Sequence, residues 1–164
     1  MISEAALKEQ KIAHAFGSVP SRAHEFAPLI SQMIEKLGIT ELLDYGCGKG
    51  ELIPHLKSSH EFKIQLYDPA VDEYAGKALP MQMVVCIDVL EHVESEYVAP
   101  VLNDLERVTG AVLFLSVKEG EFKDWIDSLM DKFEVQTIQV LPEGFYAICY
   151  AKPQPLVEVV SGTA

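Results

Sequence analysis

The chain has 164 residues, 49% of them hydrophobic, enough for the core of one domain over about residues 1–152, with 1–20 as an N-terminal arm and 153–164 as a tail. Twenty-five acidic residues against 13 basic ones give a net charge of −12, which makes nucleic acid an unlikely partner because a phosphate backbone calls for a basic face. Cys47, Cys86 and Cys149 form no CxxC pair, MISEAALKEQKIAHAF lacks a signal-like apolar core, and no run reaches the ~18 apolar residues of a membrane span, so a reduced, cytoplasmic protein without membrane contact is expected.

Residues 1–20 are mixed polar and small and end in GSVPS, which suits an arm or a first helix. Phe26, Leu29, Ile30, Met33, Ile34 and Leu37 recur at steps of three and four, so a helix is expected from about Ser21, with Gly38 as its stop. ITELLDY reads as a strand, Lys49 to about Ser58 as a short helix, FKIQLYD as a second strand and MQMVVCIDVL as a third, apolar almost throughout. Only about a dozen residues separate Asp68 from that third strand, too few for a complete further helix-and-strand unit.

After Ser95, read as an N-cap, Val98, Val101, Leu102, Leu105 and Val108 mark a helix that tolerates Pro100 in its first turns and stops at Gly110. AVLFLSV follows as a buried strand. Phe122, Trp125, Ile126, Leu129, Met130 and Phe133 form another helical stripe, and VQTIQVL and FYAICYA flank the turn PEG as a hairpin. This alternation predicts a doubly wound α/β sandwich: a mostly parallel sheet with a C-terminal antiparallel hairpin, shortened around its third unit. The tail PQPLVEVVSGTA is expected to be loose.

The chemistry concentrates in LLDYGCGKGEL. A strand ending in Asp44 passes through Gly46, Gly48 and Gly50, and such a turn lets backbone approach a ligand with no side chain between. The spacing is GxGxG, whereas the NAD pattern is GxGxxG. The next strand ends in Tyr67 and Asp68, and a carboxylate about 20 residues after such a turn can accept both hydroxyls of a ribose.

At these residues the sequence resembles the class I S-adenosylmethionine-dependent methyltransferases: LLDYGCGKG resembles their first motif, LYDPA their second and VVCIDVLEHV their fourth-strand motif. The resemblance is strong from Leu42 to about Val93 and otherwise rests on the order of elements. It implies S-adenosylmethionine as cofactor, held by Asp44, Tyr45, Gly46, Cys47, Gly48, Gly50, Asp68, Pro69, Asp88 and Val89. The charges agree, since Asp44, Asp68 and Asp88 would favour a cofactor with a sulfonium and an ammonium against one carboxylate. Cys47 is expected to contribute backbone and a small apolar side chain.

Asp88, Glu91 and His92 admit three readings. They resemble the ExxEH segment that holds a divalent metal in ubiquinone-pathway O-methyltransferases and small-RNA 2′-O-methyltransferases, although no histidine follows His92 as in the RNA enzymes. His92, with Glu91, could serve as the acid–base pair for an acceptor hydroxyl. Both could instead merely open the loop after the strand. The chain also resembles small methyltransferase-domain proteins of bacteria and bacteriophages that share YDPA, ALP and VVCIDVLEHVE. The expected reaction is methyl transfer to an oxygen or nitrogen of a small-molecule acceptor; the alternative is a cofactor-binding or scaffolding subunit, and a homo-oligomer is compatible with either. Residues 1–27, with His14, Phe16, His24 and Phe26, could close over the strand ends as a lid or pack against the core or a second subunit.

Overall fold

The structure, a computed structural model, describes residues 3–15, 21–120 and 122–154. Helices α1 (Glu4–Ala15) and α2 (Ala23–Leu37) precede β1 (Glu41–Tyr45), β2 (Lys63–Tyr67) and β3 (Met81–Ile87). Helix α3 (Ser95–Val108), β4 (Thr109–Val117), α4 (Ile126–Lys132), β5 (Phe133–Val140) and β6 (Phe145–Ala151) complete the order. The six strands form one sheet in the order β2-β1-β3-β4-β6-β5. The first four run parallel, and β6 and β5 run antiparallel to their neighbours as the hairpin signal required.

Side chains along the central strands alternate between two cores, as a period of two demands. Leu42, Met83, Val85, Val112 and Phe114 face α2, which covers them with Phe26, Ile30, Met33 and Ile34. Leu43, Val84, Cys86, Leu113 and Leu115 face the opposite way, under Val101, Leu102 and Leu105 of α3 and Leu129 of α4. Burial on both faces explains why β3 and β4 read as unbroken apolar runs. Of the two readings open for Phe26, core packing holds: it is buried against the rings of Phe114 and Tyr146. Phe16 and the side chain of His14 lie outside the described residues, as do residues 17–20 of GSVPS and the tail from residue 155.

Several boundaries differ from the expectation. The helix expected at Lys49 to Ser58 is only a 3-10 turn at Ile53–His55, because the left-handed Gly50 and the missing N–H of Pro54 leave no uninterrupted stretch to propagate. Ser95 is the first helical residue of α3 rather than its cap. Glu94 occupies the cap position and receives the Ser3 hydroxyl at 2.8 Å, which ties the start of α1 to the loop after β3. Gly110 ends no helix. Helix α3 passes directly into β4 at Thr109, whose hydroxyl donates to the Leu105 carbonyl at 2.7 Å, and Gly110 lies in the strand where a Cβ would stand 2.8 Å from the Met81 carbonyl oxygen. The stripe from Phe122 breaks into a 3-10 turn, Phe122–Asp124, followed by α4.

The shortened third unit leaves β2 at the sheet edge, and a side chain stands in for the missing neighbour. Gln65 donates to the Lys77 carbonyl and accepts from the Leu79 N–H, both at 2.9 Å, pairing 77–79 much as a strand would. Arg107 on α3 holds the same segment through the Ala78 carbonyl at 3.0 Å. Gln65→Ala is expected to lower unfolding free energy by about 1–2 kcal/mol in urea titration and to speed hydrogen exchange at the Leu79 amide; unchanged exchange there would remove Gln65 from this role.

Candidate functional site

The carboxyl ends of β1, β2 and β3 lie side by side, and the turn after β1 is built on the end of β2. Register pairs Tyr45 with Tyr67, so the chain leaving β1 runs straight onto the neighbouring strand's last carbonyl. The N–H groups of Gly46 and Cys47 both donate to Tyr67 O, at 2.8 and 3.1 Å. Gly46, Gly48 and Gly50 all have positive φ, at 77°, 54° and 76°, which is why no other residue type alternates through this bend without strain. Space also forbids a side chain at Gly46, where a Cβ would collide with the isopropyl group of Val89.

Asp68 closes the turn from the other side. Its Oδ2 accepts the Gly48 N–H and its Oδ1 the Ala70 N–H, each at 2.8 Å, so one carboxylate fixes both the glycine bend and the Asp68-Pro69-Ala70 corner. Asp44 sits beneath the bend at 4% exposure, and its side chain makes no hydrogen bond to a described residue. Burial, with the nearby Asp68 charge adding to it, pushes the Asp44 carboxyl up to about 7. The Cys47 thiol is driven upward by burial and by the same two carboxylates, which makes it a neutral, compact side chain rather than a nucleophile. Tyr45 turns away to the α3 side, where its ring packs on Tyr67 at 4.9 Å and its hydroxyl donates to Asp104 at 2.8 Å; its contribution here is backbone.

At the end of β3 the structure adds a residue that the sequence pattern did not single out. Arg22, just before α2, grips Asp88 with two bonds: Nε to Oδ2 at 2.7 Å and a terminal nitrogen to Oδ1 at 2.5 Å. Its other terminal nitrogen donates to the Glu143 carbonyl in the β5–β6 turn at 2.9 Å. The Ser116 hydroxyl of β4 also donates to Asp88 Oδ1, at 2.8 Å. Nothing in Arg22's local sequence reveals this, since its partner lies 66 positions away.

Glu91 faces inward, with Oε1 accepting the Lys118 N–H at 2.8 Å and Oε2 buried without a partner among the described residues. Burial raises its pKa above the usual carboxylate range. His92 is exposed beside it. The Asp88, Glu91 and His92 set therefore does not assemble as metal ligands: one carboxylate is taken by Arg22, one by backbone, and the imidazole points to solvent. Among the described residues no three His, Cys, Asp or Glu side chains are placed to hold a metal.

The Asp44 carboxyl, buried at the glycine bend without a hydrogen bond to a described residue, suits a cationic ligand that lies against backbone. A methyltransferase-domain family model matches residues 10–135. Among solved structures, the chain is similar to 1,6-didemethyltoxoflavin-N1-methyltransferase of Burkholderia thailandensis, with S-adenosylhomocysteine bound (12% identity, 91% of this chain and 88% of that one, TM-score 0.68). It is also similar to magnesium protoporphyrin IX methyltransferase of Synechocystis PCC 6803 with bound S-adenosylmethionine (17%, 78% and 78%, TM-score 0.59). A third is a type 11 methyltransferase-like protein of Sulfolobus solfataricus (17%, 82% and 94%, TM-score 0.53). No curated protein matches the sequence.

The Asp44 environment has a pH signature. Its carboxyl titrates near 3.8 when unfolded and near 7 when folded, so between these values the folded state binds more protons than the unfolded one. Stability should be highest below about pH 4, fall as pH rises toward 7, and level off above, by at most roughly 4 kcal/mol from this group. Asp44→Asn should show a shallower fall between pH 4 and 7 in denaturant titrations; an identical slope would mean that Asp44 is not the buried titrating group.

Proposed function

The chain belongs to the methyltransferase-domain family, and from that premise we propose that it moves the methyl group of S-adenosylmethionine to an oxygen or nitrogen of a small-molecule acceptor. The observation that supports the cofactor half of this reading is the Asp44 carboxyl, 4% exposed at a side-chain-free bend and without a hydrogen bond to a described residue. S-adenosylmethionine supplies, when bound, a methyl group activated by its sulfonium and an ammonium group that needs a carboxylate. Asp44 would face that ammonium, and the bends at Gly46, Gly48 and Gly50, with Cys47 between, would bring backbone against the methionine and ribose portions. Asp68, whose carboxylate already accepts the Gly48 and Ala70 N–H groups at the end of β2, would stand beside the ribose hydroxyls. Pro69, Asp88 and Val89 would line the cleft beside it. A metal is not part of this reading, because Asp88 is gripped by Arg22, Glu91 faces inward and His92 points to solvent, so the three do not converge.

Two features favour a small acceptor. The net charge of −12 repels a polyanion. The connection between β4 and α4 is only residues 118–125, too short for a separate recognition platform. His92, exposed at the strand ends next to Glu91, is the candidate base for the acceptor's proton, and most of the rate would come from alignment of methyl and acceptor. The scaffold alternative draws on the same brevity after β4 and on the missing third unit. Incubation with S-adenosylmethionine and panels of small hydroxyl and amine compounds separates the two readings: S-adenosylhomocysteine release supports transfer, and tight binding without release across the panel supports the scaffold.

Because a ligand ammonium would favour the ionised form of Asp44, affinity for S-adenosylhomocysteine should rise about tenfold between pH 6 and pH 8, following loss of a proton near 7. Calorimetry on Asp44→Asn should find a flat profile instead. Asp68→Ala should weaken the same binding by about 1–3 kcal/mol, and equal affinity in a folded variant would take Asp68 out of the site.

A further inference from the structure

Asp88 is the only non-glycine residue with positive φ among the described residues, at 54°. It directly follows β3, and its left-handed backbone turns the chain sharply enough that the next residue, Val89, leans onto Gly46, so closely that a Cβ there would strike the Val89 isopropyl group. Aspartate enters this conformation more readily than most residues with a Cβ, and it stays there at a cost that its surroundings must offset. The surroundings here do so from both ends. The Asp88 N–H donates to the Ser116 carbonyl at 3.0 Å and faces the Ser116 hydroxyl at 3.2 Å, while the carboxylate is gripped by Arg22 and by that same hydroxyl. Both partners of the ion pair are nearly enclosed, with side-chain exposures of 9% and 10%. Arg22 is held in turn by the Glu143 carbonyl and lies over the Phe26 ring, 5.2 Å from its centroid.

We propose that Arg22 is a positioning residue for the cofactor cleft: by clamping Asp88 in the left-handed conformation it seats Val89 against Gly46 and so sets the shape of the glycine bend before any ligand arrives. The inference rests on the cofactor reading above. The planar guanidinium fork suits this role, because two parallel bonds fix the orientation of a carboxylate where an ammonium would only attract it. The role is conformational, and the charge pair is its means. It follows that a residue able to take positive φ unaided should make the clamp dispensable.

The test is calorimetric titration of S-adenosylhomocysteine into purified variants, with circular dichroism to verify folding. Arg22→Met should weaken binding about tenfold, since it frees the bend and leaves Asp88 buried without its cation. Adding Asp88→Gly to Arg22→Met should return affinity to within about threefold of the wild type, because glycine adopts the bend without help. Adding Asp88→Ala instead should not. Affinity that is equally poor in the two double variants, or unaltered in Arg22→Met, overturns the proposal. Should Arg22→Met fail to fold, Asp88→Gly, Asp88→Asn and Asp88→Ala are compared with Arg22 intact. The conformational role ranks glycine and asparagine, which tolerate positive φ, above alanine, whereas equal losses for all three would assign the effect to charge. A wild-type protein that fails to bind S-adenosylhomocysteine would defeat the cofactor reading itself, and that result is distinct from any of these rankings.

Discussion

The β1–β2 register is the constraint on which the site depends. With Tyr45 opposite Tyr67, one strand's final carbonyl has no further ladder partner and accepts instead from two N–H groups of the turn that leaves its neighbour. Shifting this pairing by one residue would exchange the faces of β1 and bring Asp44 and Leu42 where Leu43 and Tyr45 now pack. The apolar content of both cores therefore locks the register, and the register in turn places the glycine bend over Asp44 and within reach of Asp68. Packing energy far from the cleft is what holds the cleft's polar atoms in place.

Asp44 lies near the end of β1 and Asp88 directly after the neighbouring β3, and their environments diverge. Asp88 has a bidentate arginine and a hydroxyl, so its charge is compensated inside the protein. Asp44 has neither, and burial holds its proton up to about 7. A buried ion pair contributes little to net stability because desolvation offsets attraction, so the Arg22–Asp88 pair is better understood through the geometry it imposes than through the energy it adds. An unpaired buried carboxylate costs stability, and a protein keeps one where a ligand can compensate it. The contrast between the two aspartates divides the strand ends into a prearranged wall and a receptive floor.

Much of this was legible in the sequence because it rests on local periodicity. The α2 stripe from Phe26 to Leu37, the apolar runs of β3 and β4, and the hairpin around Gly144 each follow from spacing alone. The glycine bend was legible for the same reason: three glycines at alternate positions have few other uses. What escaped depended on contacts remote in sequence. Arg22 reads as an ordinary charged residue ahead of a helix, and only the folded chain brings it to Asp88. Gly110 reads as a helix stop, because nothing local discloses that the Met81 carbonyl lies against its α-carbon. Phe26 belongs to the helix stripe and to the candidate lid at once, and packing against Phe114 settles it as core. For Asp88, Glu91 and His92, sequence proximity likewise could not show that one side chain faces Arg22, another the Lys118 backbone and the third solvent.

The missing third unit bears on function through this division of labour. In a sheet with its switch point between β1 and β3, ligands collect above the strand ends on either side of that point. The β1–β2 side keeps all its polar equipment, and the loss beyond β2 is made good cheaply by the amide of Gln65 and the guanidinium of Arg107, so the cleft floor tolerates the truncation. The β3–β4 side is where acceptor-facing segments would stand, and there the chain offers only the short 118–125 connection, the exposed His92 and the start of α1 tethered through Ser3 to Glu94. Shortening has thus fallen on the outer connections while the strand ends around the glycine bend keep theirs. On the function proposed above, the methyl donor would be specified by that built-in geometry and the acceptor by the few residues at the rim.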